Sequence, residues 1–259
     1  MARLGIQTII FGKRGGEDLP GVLADIKAAG YDGAELGYRA NYTGAELRQL
    51  LEDNGLVCCG YHAGYPTFTQ PEETDKHAAQ LVEVGGKYLM CSGVEGWGNT
   101  TRDSYLKAAD VFNETGKRLQ AYGVTFCYHN HQWEFYRLES GETGMDLLLA
   151  HTDPALVKFC VDIYWVAVGG HDPAQFVTQH ADRAVYFHYK DGAFDPEAQK
   201  NLTFTELGRG QVDLVAANKA VQALSPEWIV TEQDKTEGDP AESARVSAEY
   251  ARQVLNVGR

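Results

Sequence analysis

The sequence predicts a single (β/α)8 (TIM) barrel of the α/β class over residues 1–259, with its active site at the C-terminal ends of the strands. Short β-rich runs alternate with amphipathic segments, a glycine ends several of these segments, and a strand recurs about every 32 residues. The second choice is an open doubly wound sheet. It is disfavoured because no GxGxxG motif follows the first strand.

Eight runs rich in β-branched and aromatic residues are predicted as strands. They are Leu4–Ile10, Gly33–Leu36, Leu56–His62, Tyr88–Ser92, Val124–His129, Val157–Ile163, Ala184–Lys190 and Trp228–Glu232. Between them lie segments with apolar residues at helical spacing, such as LPGVLADIKAAG, GAELRQLLEDNG and SYLKAADVFNETGKRLQAYG. We expect left-handed glycines to end four of these helices, at Gly30, Gly55, Gly86 and Gly123.

Composition excludes several classes of protein. The chain carries 36 acidic and 23 basic residues, a net charge of -13, which disfavours nucleic acid and anionic membranes as partners. It has no apolar run of about 20 residues, and its first residues, MARLGIQTIIFGKRGG, do not resemble a signal peptide. We therefore expect a soluble, cytoplasmic protein. Its five scattered cysteines should be buried and reduced.

Polar residues collect at the predicted strand ends and share one parity. In the fifth strand, bulky Phe126 and Tyr128 alternate with smaller residues and His129, so the bulky face should pack on the helices. By the same alternation, four polar side chains of strands five to seven should face the barrel axis: His129, Asp162, His188 and Lys190. Three more polar residues end other strands: Glu35, His62 and Glu232. A lone Asp here is usually a helix cap and a lone His a core residue. Together, however, carboxylates and imidazoles suit a divalent cation.

Several segments resemble the sugar phosphate isomerase/epimerase family of the xylose isomerase-like barrel superfamily. They are YHNHQWEF (128–135), FCVDIYWVAVGG (159–170), FHYKDG (187–192), ELGRGQVD (206–213) and WIVTEQD (228–234). The likeness covers nearly the whole chain, which would make residues 1–259 one domain of this type. Inosose dehydratases, tagatose epimerases, hydroxypyruvate isomerases and endonuclease IV belong to the same superfamily. The motifs are specific for the family and much less so for a substrate.

The resemblance implies one divalent metal ion, Mn2+ first, with Mg2+, Co2+ or Zn2+ as alternatives. Its implied ligands are Glu134, Asp162, His188 and Glu232. The fifth strand departs from the epimerase pattern, because His129, Asn130 and His131 stand where those enzymes place a glutamate. Either His129 or His131 is therefore an alternative ligand to Glu134.

Such a site would abstract a proton next to a carbonyl of a small carbohydrate and stabilise an enediolate. Isomerisation or epimerisation is the first hypothesis, and β-elimination from a keto sugar, keto-glycoside or keto-inositol is the alternative. The epimerases pair two glutamate ligands as acid and base, and the fifth strand weakens that route here. The catalytic candidates are His129, His131, Glu134 and Glu232, and histidine titrates near neutral pH.

Five further residues are candidates for substrate binding: Glu35, His62, Trp97, Lys190 and Arg209. Trp97 could serve as an apolar platform for a sugar. The stretch from Asp191 to Gln211 is long for a barrel loop and could close over the site. No phosphate-binding motif is evident, which favours an unphosphorylated substrate.

Two other classes of protein are considered as alternatives. An endonuclease IV-like repair enzyme would need several metals and a basic groove, which the net charge of -13 disfavours. A non-catalytic sugar-binding subunit is disfavoured because all four ligand positions carry suitable residues. A homo-oligomer or a partner subunit is compatible with the sequence.

Overall fold

The computed structural model describes residues 2–97, 99–195 and 202–258, and in them eight parallel strands close into a barrel in the order β1 to β8. The strands are β1 (Arg3–Gln7), β2 (Gly33–Leu36), β3 (Val57–Gly64), β4 (Tyr88–Ser92), β5 (Thr125–His129), β6 (Val157–Asp162), β7 (Ala184–Tyr189) and β8 (Trp228–Thr231). The barrel closes where β8 pairs in parallel with β1. The predicted (β/α)8 architecture is confirmed.

Helices lie between successive strands and cover the outside of the barrel. They are α1 (Arg14–Glu17), α2 (Leu19–Ala28), α3 (Gly44–Asp53), α4 (Tyr65–Phe68), α5 (Pro71–Val84), α6 (Arg102–Leu119), α7 (Gly144–His151), α8 (Ile163–Val168), α9 (Pro173–Gln179), α10 (Leu214–Ala223) and α11 (Pro240–Gln253). Short 3-10 turns occupy Thr8–Phe11, Gln120–Tyr122 and Trp133–Phe135. Within the described residues, no helix combines the length and the apolar character that crossing a bilayer requires.

Most predicted strands match to within one or two residues, and two of the differing boundaries have a clear local cause. The first strand ends at Gln7 rather than Ile10, because the Gln7 side chain accepts a hydrogen bond from the Ile9 N–H and caps the 3-10 turn that follows. The helix before β4 ends at Gly85 rather than Gly86: Gly85 has the left-handed φ of 93°. Prediction and structure agree at the three remaining turns, where Gly30, Gly55 and Gly123 all have positive φ.

The predicted strand parity is confirmed by two separate apolar cores. The larger core lies between strands and helices and contains the bulky outward residues Phe126, Tyr128 and Phe187. A smaller core fills the barrel interior with Cys59, Met90, Cys127, Cys160, Tyr186, Trp228 and Val230. All five cysteines are buried and unpaired, as predicted. Because the lower interior is packed with side chains, only its C-terminal mouth can hold a site.

The loop after β7 is held by the buried carboxylate of Asp191. Its Oδ2 accepts hydrogen bonds from the backbone N–H groups of Gly208 and Gly210, both at 3.0 Å, and its Oδ1 accepts from those of Gly192 at 2.9 Å and Val212 at 3.2 Å. A Cβ at Gly210 would lie 2.0 Å from Asp191 Oδ1, so the ELGRGQVD segment needs glycine there. Residues 196–201 of the long predicted loop lie outside the described residues. The described part from residue 202 onwards is anchored to β7.

Asp191→Asn should therefore destabilise the fold and loosen this loop. The introduced amide would point a donor at two backbone donors, which costs about 2–4 kcal/mol of unfolding free energy. Equilibrium urea unfolding measures the loss, and limited proteolysis should show faster cleavage between residues 192 and 212. Asp110→Asn on the exposed face of α6 is the control and should change stability by less than about 0.5 kcal/mol. Equal stability of the two variants would contradict the anchoring role.

Candidate metal centre and active site

Four side chains converge at the C-terminal mouth of the barrel, one from the end of each strand from β5 to β8. They are His129, Asp162, His188 and Glu232, all buried, and each offers a ligand atom within 4.8 Å of the others. His129 Nε2 lies 3.5 Å from Asp162 Oδ2 and 3.8 Å from Glu232 Oε2. His188 Nδ1 also lies against Glu232 Oε2. Three predicted ligands, Asp162, His188 and Glu232, are thus brought together.

The facing atoms of this group have no hydrogen-bond partners among the described residues. The four atoms are His129 Nε2, Asp162 Oδ2, His188 Nδ1 and Glu232 Oε2. Leaving several buried polar atoms unsatisfied at one point is costly. Two imidazole nitrogens and two carboxylate oxygens form a donor set that Zn2+, Mn2+ or Co2+ accepts. The residues therefore fit a single divalent cation, which would satisfy all four atoms at once.

Glu134, the strand-five ligand expected first, does not reach this group. Its carboxylate accepts hydrogen bonds from the Tyr128 hydroxyl and the His131 backbone N–H, each at 2.6 Å. Tyr128 lies on the outward face of β5, in the core beneath the helices, so Glu134 is drawn away from the barrel axis. Of the strand-five candidates, the alternative His129 has its ring nitrogen at the centre. Glu134 thus lies outside the group of four side chains.

Asp162 is placed to act both as a helix cap and as a metal ligand, which the sequence offered as alternatives. Its Oδ1 accepts hydrogen bonds from the backbone N–H groups of Tyr164 at 2.9 Å and Trp165 at 3.1 Å, and so caps α8. Its Oδ2 faces the centre and has no hydrogen-bond partner within the described residues. Asn130 locks the same strand end, since its side chain accepts from the Asp162 N–H at 3.0 Å and donates to the Asp162 carbonyl at 3.2 Å. One oxygen of Asp162 is held fixed while the other remains available.

Glu35 and His62, expected in the substrate pocket, are connected to the ring nitrogens that face away from the centre, Glu35 directly and His62 through Ser92. Glu35 is fully buried, with Oε2 2.8 Å from His188 Nε2 and Oε1 3.0 Å from His62 Nδ1. His62 Nε2 contacts Ser92 Oγ, which lies 3.2 Å from His129 Nδ1. Burial alone would raise the pKa of Glu35, but His188 and His62 outweigh burial and lower this pKa to about 2. Glu35 is therefore a carboxylate at neutral pH.

Lys190 is a fully buried ammonium among three carboxylates. Its Nζ lies 2.7 Å from Glu232 Oε1, 2.9 Å from Asp234 Oδ1 and 3.3 Å from Asp162 Oδ2. Burial lowers the pKa of Lys190, but these carboxylates outweigh burial and raise it, so the side chain stays charged. Its Nζ also lies 4.7 Å from the centroid of the Trp165 ring. Lys190 thus neutralises part of the negative charge of the site.

Aromatic rings form one rim of the mouth. His131 stacks on Trp133 with centroids 4.3 Å apart, and Trp97, 58% exposed, meets His131 edge-on at 5.2 Å. The centroid of the Trp165 ring lies 5.5 Å from that of His131 and 5.8 Å from that of Phe204, a residue of the loop anchored by Asp191. His131 Nδ1 has no hydrogen-bond partner among the described residues. These rings provide a flat apolar surface beside a free imidazole nitrogen.

Arg209 does not join the site. Its guanidinium lies 3.0 Å from Glu206 Oε2 and is 59% exposed. It is a surface ion pair of the ELGRGQVD loop, whose described residues pack beside the mouth without directing this side chain inwards. The expectation that Arg209 lines the pocket is therefore corrected.

The sequence missed several site residues, including Ser92, Trp165, Phe204 and the pairing of Asp234 with Lys190. Ser92 ends β4 on the same inward parity as Met90, and that signal could have identified it. Trp165 follows Asp162 by three residues and is aimed at the mouth by the turn of α8. Phe204 carries no local signal, because only the loop anchored by Asp191 brings it to Trp165.

The closed barrel and the buried cluster at its C-terminal mouth define a TIM barrel with a candidate active site at the strand ends. The model of the xylose isomerase-like TIM barrel family matches residues 23–254. The chain belongs to that family.

Individual relatives agree with this assignment. The inosose dehydratase of Halalkalibacterium halodurans is 28% identical over 93% of this chain and 88% of its own length. A sugar phosphate isomerase/epimerase from Parabacteroides distasonis has a TM-score of 0.81 at 22% identity, covering 98% of this chain and 95% of its own. The IolI protein, solved with a zinc atom, has a TM-score of 0.75 at 13% identity and covers 98% of both chains. The relatives named as dehydratases and epimerases are enzymes of the lyase or isomerase/epimerase type.

The alternative strand-five ligands can be separated by metal binding. His129→Ala should weaken Co2+ affinity by about 100-fold or more, because one of four ligands is lost. Glu134→Gln should leave the affinity within about three-fold, since the Glu134 carboxylate is bound by Tyr128 and the His131 backbone instead of the centre. Competition with a chromophoric chelator measures both, and circular dichroism checks folding. The opposite pattern would return the ligand role to Glu134.

Glu134 should make the free energy of unfolding depend on pH. Burial raises the pKa of Glu134 to about 7, against the hydrogen bonds from Tyr128 and His131. A raised carboxyl pKa contributes stability that is complete below the unfolded pKa and is lost as pH rises through the folded one. Between pH 5 and pH 8 the wild type should lose about 2 kcal/mol relative to Glu134→Gln. Parallel stability curves from urea unfolding at each pH would contradict this.

Proposed function

We propose that the chain is a divalent-metal-dependent lyase that eliminates water from a keto sugar or keto-cyclitol after abstracting the proton next to the carbonyl. The observation that carries this proposal is the strand-five contribution to the centre, which is the imidazole of His129 rather than a glutamate. A matched pair of glutamate acid and base groups, on which the epimerase route depends, is therefore not available from Glu134 and Glu232. The names of the curated relatives also favour elimination.

The proposed cofactor would be held by His129, Asp162, His188 and Glu232. A divalent cation bound there would polarise the substrate carbonyl and stabilise the negative charge that develops after proton loss. Mn2+ remains the first choice from the sequence. Zn2+ and Co2+ are also compatible with two nitrogen and two oxygen ligands.

His131 is the residue we assign to take the proton. Burial lowers the pKa of His131 well below its usual range, and the neighbouring His129 and Lys190 lower it further. The imidazole is therefore neutral at physiological pH, and its Nδ1 is without a partner among the described residues. A neutral imidazole beside the centre is suited to act as a general base.

The leaving hydroxyl needs a proton, and Asp234 is the group we assign to supply it. Its side chain is 27% exposed, which is more than either carboxylate that shares Lys190 with it. Burial, with Glu232 nearby, raises the pKa of Asp234 to about 6 despite the contact with Lys190. The proton lost from carbon passes to His131, the proton from Asp234 leaves with the hydroxyl as water, and a carbon–carbon double bond forms.

The charge of the site favours an uncharged substrate. Glu35, Asp162 and Glu232 provide three carboxylates against the single ammonium of Lys190, and that ammonium already contacts two of them. A phosphate group would be repelled by this excess unless further cations came with it. The apolar faces of Trp165 and Trp97 suit the C–H face of a sugar or cyclitol ring.

An assay with an inosose as the substrate tests the reaction type. Elimination predicts release of water and growth of the ultraviolet absorbance of an unsaturated ketone, abolished by chelation and by Glu232→Gln. An epimerase or isomerase would instead incorporate deuterium from D2O into a saturated sugar without loss of water. Full activity after both chelation and Glu232→Gln would rule out the metal-dependent mechanism.

His131→Gln tests the base. It should lower kcat by about 100-fold or more while Co2+ affinity stays within about three-fold, because the base acts on substrate and is not one of the four ligands. Glu134→Gln is the matched control on the same strand end and should retain most of kcat. An unchanged kcat in His131→Gln would assign the base to another residue.

A further inference from the structure

A continuous path of hydrogen bonds joins the outer nitrogens of the two imidazoles at the centre. It begins at His188 Nε2, 2.8 Å from Glu35 Oε2, and continues from Glu35 Oε1 to His62 Nδ1 at 3.0 Å. It then runs from His62 Nε2 to Ser92 Oγ and ends at His129 Nδ1, 3.2 Å from that hydroxyl. The path crosses side chains of β2, β3, β4, β5 and β7. Every residue in it is buried except His62, whose side chain is 15% exposed.

Counting donors and acceptors gives this path one direction when His62 is a neutral imidazole. The Glu35 carboxylate has no proton, so His188 Nε2 and His62 Nδ1 must both donate to it. A neutral His62 then has a lone pair on Nε2, which accepts the Ser92 hydroxyl proton. The Ser92 oxygen in turn accepts a hydrogen bond from His129 Nδ1. All protons of the path thus point towards Glu35.

This direction of the hydrogen bonds determines the state of the two ring nitrogens that face the centre. With the proton of His129 on Nδ1, its Nε2 carries a lone pair. Because Glu35 holds one proton of His188 on Nε2, Nδ1 is the His188 nitrogen that is left to bind a cation once it is deprotonated. These are the same two nitrogens that lack hydrogen-bond partners among the described residues and face Asp162 Oδ2 and Glu232 Oε2. Metal ligation by histidine requires a deprotonated nitrogen and a fixed ring orientation.

We propose that Glu35, His62 and Ser92 are positioning residues that fix opposite tautomers of His129 and His188, so that both imidazoles present a lone pair to one cation. Glu35 acts directly on His188, and it acts on His129 through His62 and Ser92. The inference rests on the proposed metal site. It assigns His62 and Glu35 to the support of the centre rather than to contact with substrate.

The tautomers can be observed without any activity measurement. Two-bond 1H–15N correlation spectra of the full chain labelled with 15N-histidine distinguish a proton on Nδ1 from one on Nε2. We expect His129 to carry its proton on Nδ1 in both the chelator-treated and the Zn2+-loaded chain. We expect His188 to carry its proton on Nε2 in the Zn2+-loaded chain. Ser92→Ala should change the His129 signals, and Glu35→Gln should change those of His188.

Metal affinity provides a second readout. Ser92→Ala and Glu35→Gln should each weaken Co2+ binding by about 10- to 100-fold and alter the visible absorption spectrum of the bound Co2+. Ser92→Thr keeps the hydroxyl and should stay within about three-fold of the wild type. Ser247→Ala removes another buried serine hydroxyl, which accepts from the Leu207 N–H at 3.3 Å, and should leave Co2+ affinity unchanged.

Two results separate this inference from the proposed function. Wild-type affinity in Ser92→Ala, or a proton on Nε2 of His129 in a chain that binds the cation, overturns the positioning role alone. A wild-type chain that shows the stated tautomers but binds no divalent cation overturns the proposed function and leaves the direction of the hydrogen-bond path intact. Loss of affinity in Ser247→Ala equal to that in Ser92→Ala would reduce both effects to general destabilisation and so overturn the positioning role.

Discussion

The structure of the site depends on one constraint, which is that four buried polar atoms face one another without hydrogen bonds from the described residues. A protein interior tolerates such atoms only when another group compensates for the water they have lost. His129 Nε2, Asp162 Oδ2, His188 Nδ1 and Glu232 Oε2 meet this condition when a cation lies between them. The surrounding side chains can be understood as supports that keep these atoms aimed at a common point, with Lys190 offsetting part of the negative charge.

The supporting side chains all belong to strands and helices of the barrel itself, so no additional element is needed to position them. Asp162 ends β6 and caps α8 with one oxygen, so the helix itself orients the other oxygen. Asn130 ties the ends of β5 and β6 through two backbone hydrogen bonds. Ser92 is the register partner of His129 across β4 and β5, which brings its hydroxyl next to His129 Nδ1. Because the strands are parallel and in register, residues at the C-terminal ends of successive strands lie close together at one end of the barrel.

Much of the fold and part of the site could be predicted from residue patterns. Periodicity identified all eight strands, and alternation along β5, β6 and β7 correctly turned His129, Asp162, His188 and Lys190 inwards. Glu134 and Arg209 lie outside the group of converging side chains. Glu134 lies beyond the regular strand, where parity no longer applies, and the 3-10 turn at Trp133–Phe135 directs it to Tyr128. Arg209 belongs to a loop whose path is set by a distant carboxylate, so no local pattern indicated where its side chain would lie.

The sequence by itself determined the barrel, the end of the barrel that carries chemistry, and three of the four residues that meet there, because strand parity and strand order are local properties of the chain. Only the tertiary structure shows that His129 reaches the group of converging side chains and that Glu134 turns away from it towards Tyr128. It also revealed the path from His188 through Glu35, His62 and Ser92. Those residues are far apart in sequence, and only closure of the barrel brings them into contact.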